Sequence, residues 1–167
     1  MALDRLDGLL AKLEVTYGTD PIPVAATDGV RVMERVWENA GPTHAFENLR
    51  PDAPSGTLFP LPPATPRGRM VEFTITWDAR GAGVPYSVTV LPEADPLLQA
   101  SGLARVDDFT ISLENVTYSP ADTDHKSCTV YAFAGGMLFK IVGVRCRLRI
   151  PISAGGFSRL VFDCSGI

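Results

Sequence analysis

Residues 70–78 read MVEFTITWD, in which Val71, Phe73, Ile75 and Trp77 alternate with Glu72, Thr74, Thr76 and Asp78. A period of two places each set on its own face of a strand, so this stretch is apolar on one side and polar on the other. Such a strand is stable only when its apolar face meets a second layer. Each of those large side chains contributes about 1.5–3 kcal/mol on burial, before ordering entropy is subtracted, which makes this strand the anchor of the core. The alternation returns in VRCRLRI, where Arg145, Arg147 and Arg149 share one face while Val144, Cys146, Leu148 and Ile150 share the other.

Further strands are predicted at Val30–Trp37, Tyr86–Leu91, Phe109–Leu113, Ser127–Ala134, Met137–Val142, Val144–Ile152 and Phe157–Cys164. They are separated by the turns Gly81-Ala82-Gly83, Gly135-Gly136 and Ser153-Ala154-Gly155-Gly156. One internal helix is predicted in PEADPLLQASGL, with Asp95 as cap, Pro96 at the first helical position and Gly102 ending it. Leu3, Leu6, Leu10 and Leu13 recur at helical spacing, which predicts a short amphipathic helix over Asp4–Leu13. The expected fold is therefore mainly β: two packed antiparallel sheets, as a sandwich or barrel, in a single domain spanning residues 1–167.

Prolines shape the rest. Pro21-Ile22-Pro23 follows a Gly-Thr-Asp turn signal, so residues 1–28 are expected to include an extended N-terminal arm. Residues 41–69 contain Pro42, Pro51, Pro54, Pro60, Pro62, Pro63 and Pro66, which predict a long loop with no regular element over most of its length. Loops of that length usually serve binding or are disordered. Leu58, Phe59 and Leu61 favour one that docks on a partner.

Composition narrows the function. With 46% hydrophobic and 20% charged residues the chain is a folded globular protein rather than a disordered one, and 167 residues bury enough surface to need no metal or disulfide. A net charge of −4 argues against a protein whose main task is to grip nucleic-acid phosphates. Asp4, Asp7 and Lys12 interrupt the apolar positions of the N-terminus, so neither a signal peptide nor a membrane span is expected there. Cys128, Cys146 and Cys164 stand far apart with no C-x-x-C pair and are read as ordinary buried thiols.

No enzyme signature emerges. His44 and His125 are the only histidines, and each lies in a predicted loop without a serine elbow or an orienting carboxylate. Asp107, Asp108, Asp122 and Asp124 sit in contexts that favour solvated turns, and ADTD supplies too few ordered oxygens for calcium. Neither cofactor nor metal is expected. The arginine face has three readings: a solvated polar face, a contact surface meeting carboxylates of another subunit, or a nucleic-acid ladder, the last opposed by the absence of interleaved aromatic residues.

LLAKLEVTYGTDPIPVAATDGVRV resembles the opening of the tail tube (major tail) proteins of long-tailed bacteriophages, which begin with a similar Tyr-Gly-Thr-Asp-Pro arm. TVYAFAGGMLFKIVGVRCRLRIPISAGGFSRLVFDCSGI is similar to that family's C-terminal strands, and PEADPLLQASGL to its short helix. The resemblance implies a structural virion protein, made in the host cytoplasm, whose hexameric rings stack around a tape-measure protein between a tail terminator and distal tail proteins. DNA would be a passing cargo, and no membrane would be involved. Tyr17, Gly18, Thr19, Asp20 and Pro21 would then belong to an arm lying across a neighbouring subunit, and Leu58, Phe59 and Leu61 to a loop reaching an adjacent ring. Two alternatives stay open: a terminator or distal adaptor on the same fold, and a β-sandwich displaying loops for a carbohydrate or protein ligand. The second would need an exposed aromatic platform, whereas Trp37 and Trp77 fall in strand patterns that favour the core.

Overall fold

The alternating stretch is the C-terminal part of a long strand, β4 (Thr65–Asp78), and Phe73, Ile75 and Trp77 on it are buried, Ile75 completely. The computed structural model describes residues 8–32, 42–47, 65–110, 115–134, 137–152 and 159–167. Before β4 come β1 (Gly8–Leu13), β2 (Gly29–Val30) and β3 (Pro42–Glu47); after it come α1 (Asp95–Ala100), β5 (Leu103–Asp108), β6 (Asn115–Pro120), β7 (Cys128–Ala134), β8 (Met137–Arg149) and β9 (Arg159–Gly166).

Among the described residues seven strands pair in the order β2-β1-β7-β8-β9-β4-β3, and β5 with β6 forms a separate two-stranded ribbon. Every pairing is antiparallel. The strand that makes two layers from one ladder is β8. Its residues up to Val144 pair with β7, and Arg145–Arg149 pair with β9. Between these parts Gly143 has φ 62°, and the register with β7 slips between Cys128 and Val130. A bulge bends a strand and increases its twist, so the β1–β7 side and the β9–β4 side close on one interior. Leu9 and Val130 enter that core from one layer, Ile75 and Phe162 from the other, and Leu97 from α1. The fold is mainly β with two packed antiparallel layers, as the alternation predicted.

The C-terminal strand closes tightly on the bend. Val142 and Ile167 exchange backbone hydrogen bonds of 2.9 Å in both directions. A Cβ on Gly166 would lie 2.6 Å from Ile141 Cγ2, 2.8 Å from Val144 Cγ2 and 3.0 Å from the Val142 carbonyl oxygen. Gly166→Ala is therefore expected to destabilise by about 2 kcal/mol through overpacking, seen as a lower urea midpoint at unchanged slope. An unchanged midpoint would mean that β9 shifts freely in its seat.

Several expectations are corrected. Of the helix expected over Asp4–Leu13, Gly8–Leu13 is a strand instead, because pairing with β7 along its whole length outweighs leucine spacing that suits either structure, and the residues before Gly8 fall outside the described residues. Of Val30–Trp37 only Val30 lies in a described strand, Arg31 and Val32 are outside it, and the remainder falls outside the described residues. Tyr86–Leu91 is irregular, closed by mutual 3.1 Å hydrogen bonds between Ser87 and Val90. Of the strand expected at Phe109–Leu113, Phe109 and Thr110 lie just past the end of β5 and outside any strand, and the remainder falls outside the described residues. The two strands expected on either side of Gly143 are one, since a glycine there bends β8 without ending it.

The proline-rich stretch also holds structure. It contributes β3 and the first residues of β4. Proline is tolerated there because β3 is an edge strand and Pro66 lies beside a register shift, where β4 has not yet met β9. Asp95 is the first helical residue and not the cap, which is Ala94.

The cysteine expectation fails for two of three residues. Cys146 and Cys164 stand directly opposite each other on β8 and β9, with Cα atoms 4.1 Å apart, and form a disulfide. Their partnership depends on strand register, which spacing alone does not reveal. Cys128 is the free, buried thiol; burial first, and the nearby Glu14 charge second, push its pKa up.

Candidate functional site

The segment following β1 lies on the outer face of its own sheet, and one carboxylate pins it there. Alternation along β7 sends Cys128 and Val130 into the core and Thr129 and Tyr131 outward. Glu14 continues alongside β7, its backbone N–H donating to the Ser127 carbonyl at 2.9 Å, and its side chain turns under the following loop. Oε1 accepts hydrogen bonds from Thr129 Oγ1 and the Gly143 amide, both 2.7 Å. Oε2 accepts from Ser127 Oγ at 2.7 Å and the Gly18 amide at 2.8 Å. Burial alone would raise the Glu14 pKa, but these donors outweigh it and hold the carboxyl below its ordinary range.

Tyr17 and Asp20 complete the clasp. The Tyr17 ring fills the space beside Gly143, where a Cβ would stand 3.0 Å from Cζ, and the Arg145 guanidinium lies 5.2 Å from the ring centroid. The bend in β8 therefore serves as the seat of the loop. Asp20 Oδ2 accepts from the Tyr131 hydroxyl and lies 3.7 Å from Lys140 Nζ, while Oδ1 accepts from the Ile22 amide at 2.8 Å. The Tyr131 bond is the main reason the Asp20 pKa is lowered. Between Pro21 and Pro23, Ile22 is held at φ 54°, a region that branched residues rarely occupy. Asp28 Oδ2 accepts from the Val24 amide at 2.7 Å and pairs with Lys12 at 3.6 Å.

The loop is thus pinned through Glu14, Tyr17, Asp20 and Asp28, and it displays apolar residues to solvent. Val15 is 101% exposed, Ile22 67%, Tyr17 56% and Val24 51%. The arginine strand begins beside it. Arg145, Arg147 and Arg149 are exposed and alternate with buried Val144 and half-buried Cys146 and Leu148. Arg149 grips Asp163 with bonds of 2.5 and 2.6 Å, which is the first cause of the lowered Asp163 and raised Arg149 pKa values. Arg147 stands opposite Asp163 in the register. The structure thus brings Tyr17–Pro21 and the arginine face together through Tyr17 and Arg145.

Sequence reasoning missed a second polar cluster. Asp95, 5% exposed, accepts from Tyr118 Oη at 2.7 Å, Gln99 Nε2 at 3.0 Å and Arg105 Nη1 at 3.0 Å, and Arg105 Nε also reaches Asp107 at 2.9 Å. This cluster ties the ribbon to α1. Burial and then the Asp95 bond push the Tyr118 pKa far up. The Asp95–Gln99 spacing of four within a helix was the only legible sign.

Other candidates are dispersed. Leu58, Phe59 and Leu61 lie outside the described residues. His44 is in β3 opposite Arg69, and His125 lies near Gly102 in the segment after β6. Asp124, at φ 57°, pairs with Lys126 at 3.2 Å in a solvated turn. An open groove of about 960 Å³ runs between the β1–β2 edge and the end of β4, with Leu10, Val30, Val32, Trp77 and Phe133 on its walls. Among the described residues no group of three or more His, Cys, Asp and Glu side chains is placed to hold a metal, and no helix is long and apolar enough to cross a membrane.

Comparisons with protein-family models, with curated proteins and with solved structures found no match.

Proposed function

We propose that this chain is a structural subunit of a bacteriophage tail, whose hexameric rings stack into the tube that conducts the genome. The observation that carries the reading is that two separate stretches of resemblance fold into one unit. Glu14 binds Thr129 and Gly143, Asp20 binds Tyr131, and Tyr17 packs on Gly143 and Arg145. Such a unit suits assembly, because an apolar surface ordered before a partner arrives loses little entropy on docking. Exposed apolar residues grouped on one surface are characteristic of interaction sites.

In this reading the chain's chief partner is itself. The tape-measure protein occupies the lumen, terminator and distal proteins close the ends, and DNA passes through. The net charge of −4 suits a conduit, since a repelling wall lets DNA slide. Negative-stain electron microscopy across a concentration series, with light scattering for mass, tests this reading. Stacked hollow tubes are the expected result. Single rings that never stack would move the chain to a terminator or adaptor position, and a monomer at every concentration, with or without distal tail proteins, would sink the tube reading.

A further inference from the structure

We infer that residues 14–28, the segment between β1 and β2, form a strap that acid opens as a unit while the sheet beneath it stays folded. Its two ends are held in the sheet and lie close together: Leu10 pairs with Gly29, and the Ala11 amide donates to the Asp28 carbonyl at 2.9 Å. A loop with adjoining ends can open without pulling its flanking strands apart. Between those ends apolar burial gives little support. From Val15 to Asp28 only Pro23 is buried. Its other main-chain bonds among the described residues are turns within it, from Thr19 to the Thr16 carbonyl and from Thr27 and Asp28 to the Val24 carbonyl.

Two carboxylates join the strap to β7 and β8. Glu14 gathers Ser127, Thr129 and Gly143 from the sheet and the Gly18 amide from the strap. Asp20 takes the Tyr131 hydroxyl and stands 3.7 Å from Lys140 Nζ. Each Glu14 oxygen accepts from one hydroxyl and one amide. A hydroxyl can rotate to accept from a protonated carboxyl, whereas an amide N–H only donates, so a proton on either oxygen weakens the hold on Gly18 or on Gly143. The groups facing these carboxylates do not offset the change. Beside Glu14 the buried Cys128 thiol has its pKa pushed up and is neutral throughout. Tyr131 and Lys140 beside Asp20, Lys12 beside Asp28 and Arg145 against Tyr17 all keep their protons in acid. The folded pKa values of Glu14 and Asp20 lie below the ordinary 4.5 and 3.8, so the latch is complete above those values and is lost as pH falls through the lowered ones. Opening uncovers Thr129 and Tyr131, which are 0% and 5% exposed on the outer face of β7, and disperses the displayed Val15, Ile22 and Val24. Acid thus switches that apolar surface off.

Hydrogen exchange read by mass spectrometry at stepped pH, corrected for the intrinsic exchange rate, tests the latch. Protection of peptides from residues 14–28 is expected to fall at least about tenfold between about pH 6 and about pH 3, while peptides from β4, β7 and β9 keep theirs within about threefold. Glu14→Gln combined with Asp20→Asn removes both charges. At about pH 6 its strap is expected to show the protection that wild type shows at about pH 3, with little further change in acid. Circular dichroism melts check that this variant is folded; if it is not, Asp20→Asn alone gives the same reading as a partial loss. Strap protection independent of pH overturns the latch. So does a loss shared equally by strap and core, which is ordinary acid unfolding, or a folded variant whose strap loosens in acid as much as wild type does. Dilution until light scattering gives the mass of one chain keeps neighbouring copies out of the reading, so the outcome does not depend on the tube.

Discussion

Glu14→Ala is expected to remove about 4 kcal/mol of stability and lower Tm by roughly 8–16 °C. The change deletes an acceptor of two hydroxyl and two amide donors and leaves Thr129 Oγ1 and the Gly143 amide facing a void. An unsatisfied buried donor costs its full desolvation, so the effect exceeds that of losing one ordinary hydrogen bond. Glu14→Gln keeps the volume and loses the charge, and a smaller loss is expected. Its pH dependence has a definite sign. Because the folded pKa lies below the ordinary 4.5, the contribution of the carboxylate is complete above that value and disappears as pH falls through the folded pKa. The stability gap between wild type and Glu14→Gln should therefore be constant near neutrality and narrow below about pH 4.5, measured by urea unfolding at stepped pH. A gap independent of pH would show that packing, not charge, is what Glu14 supplies.

Reduction of the Cys146–Cys164 bond is expected to cost about 3 kcal/mol, from the loop entropy released when a cross-link spanning a sequence separation of 18 is opened. Calorimetry with and without a phosphine reductant, and of Cys146→Ser, should show matching decreases in Tm of roughly 6–12 °C. Cys164 is 3% exposed, so reduction should be slow in the native state and speed up with urea. Intact mass after alkylation of the unfolded, unreduced protein gives the independent reading: one reactive thiol, Cys128, is expected. Three reactive thiols would remove the disulfide from the account.

These expectations rest unevenly on sequence. The alternation in Val71–Asp78 and Val144–Ile150 was legible because period two survives wherever one face is buried, and the burial of Ile75 and the exposure of Arg147 follow from it directly. Leu10 and Leu13 misled because their spacing of three fits a helix and tertiary pairing with β7 decided otherwise. Pro66 in a strand was illegible without knowing that β4 meets β9 only from Val71 onward. The disulfide and the Glu14 clasp share one obstacle: each joins residues through strand register or over a separation of more than a hundred positions, and local pattern carries neither. The arm motif was visible at Tyr17–Pro21, yet its anchor, Glu14, lay one turn before it and read as an ordinary polar residue.

Gly143 makes the molecule's shape and its displayed surface a single adjustable quantity. The angle between the two layers is set where β8 bends, and the Tyr17 ring occupies the space that the missing side chain leaves. Val15, Ile22 and Val24 are therefore positioned relative to the arginine strand by the same hinge of backbone that positions one layer over the other. If neighbouring subunits read both surfaces, curvature of an assembly and geometry of its contacts change together, and one small residue governs the pitch at which copies meet.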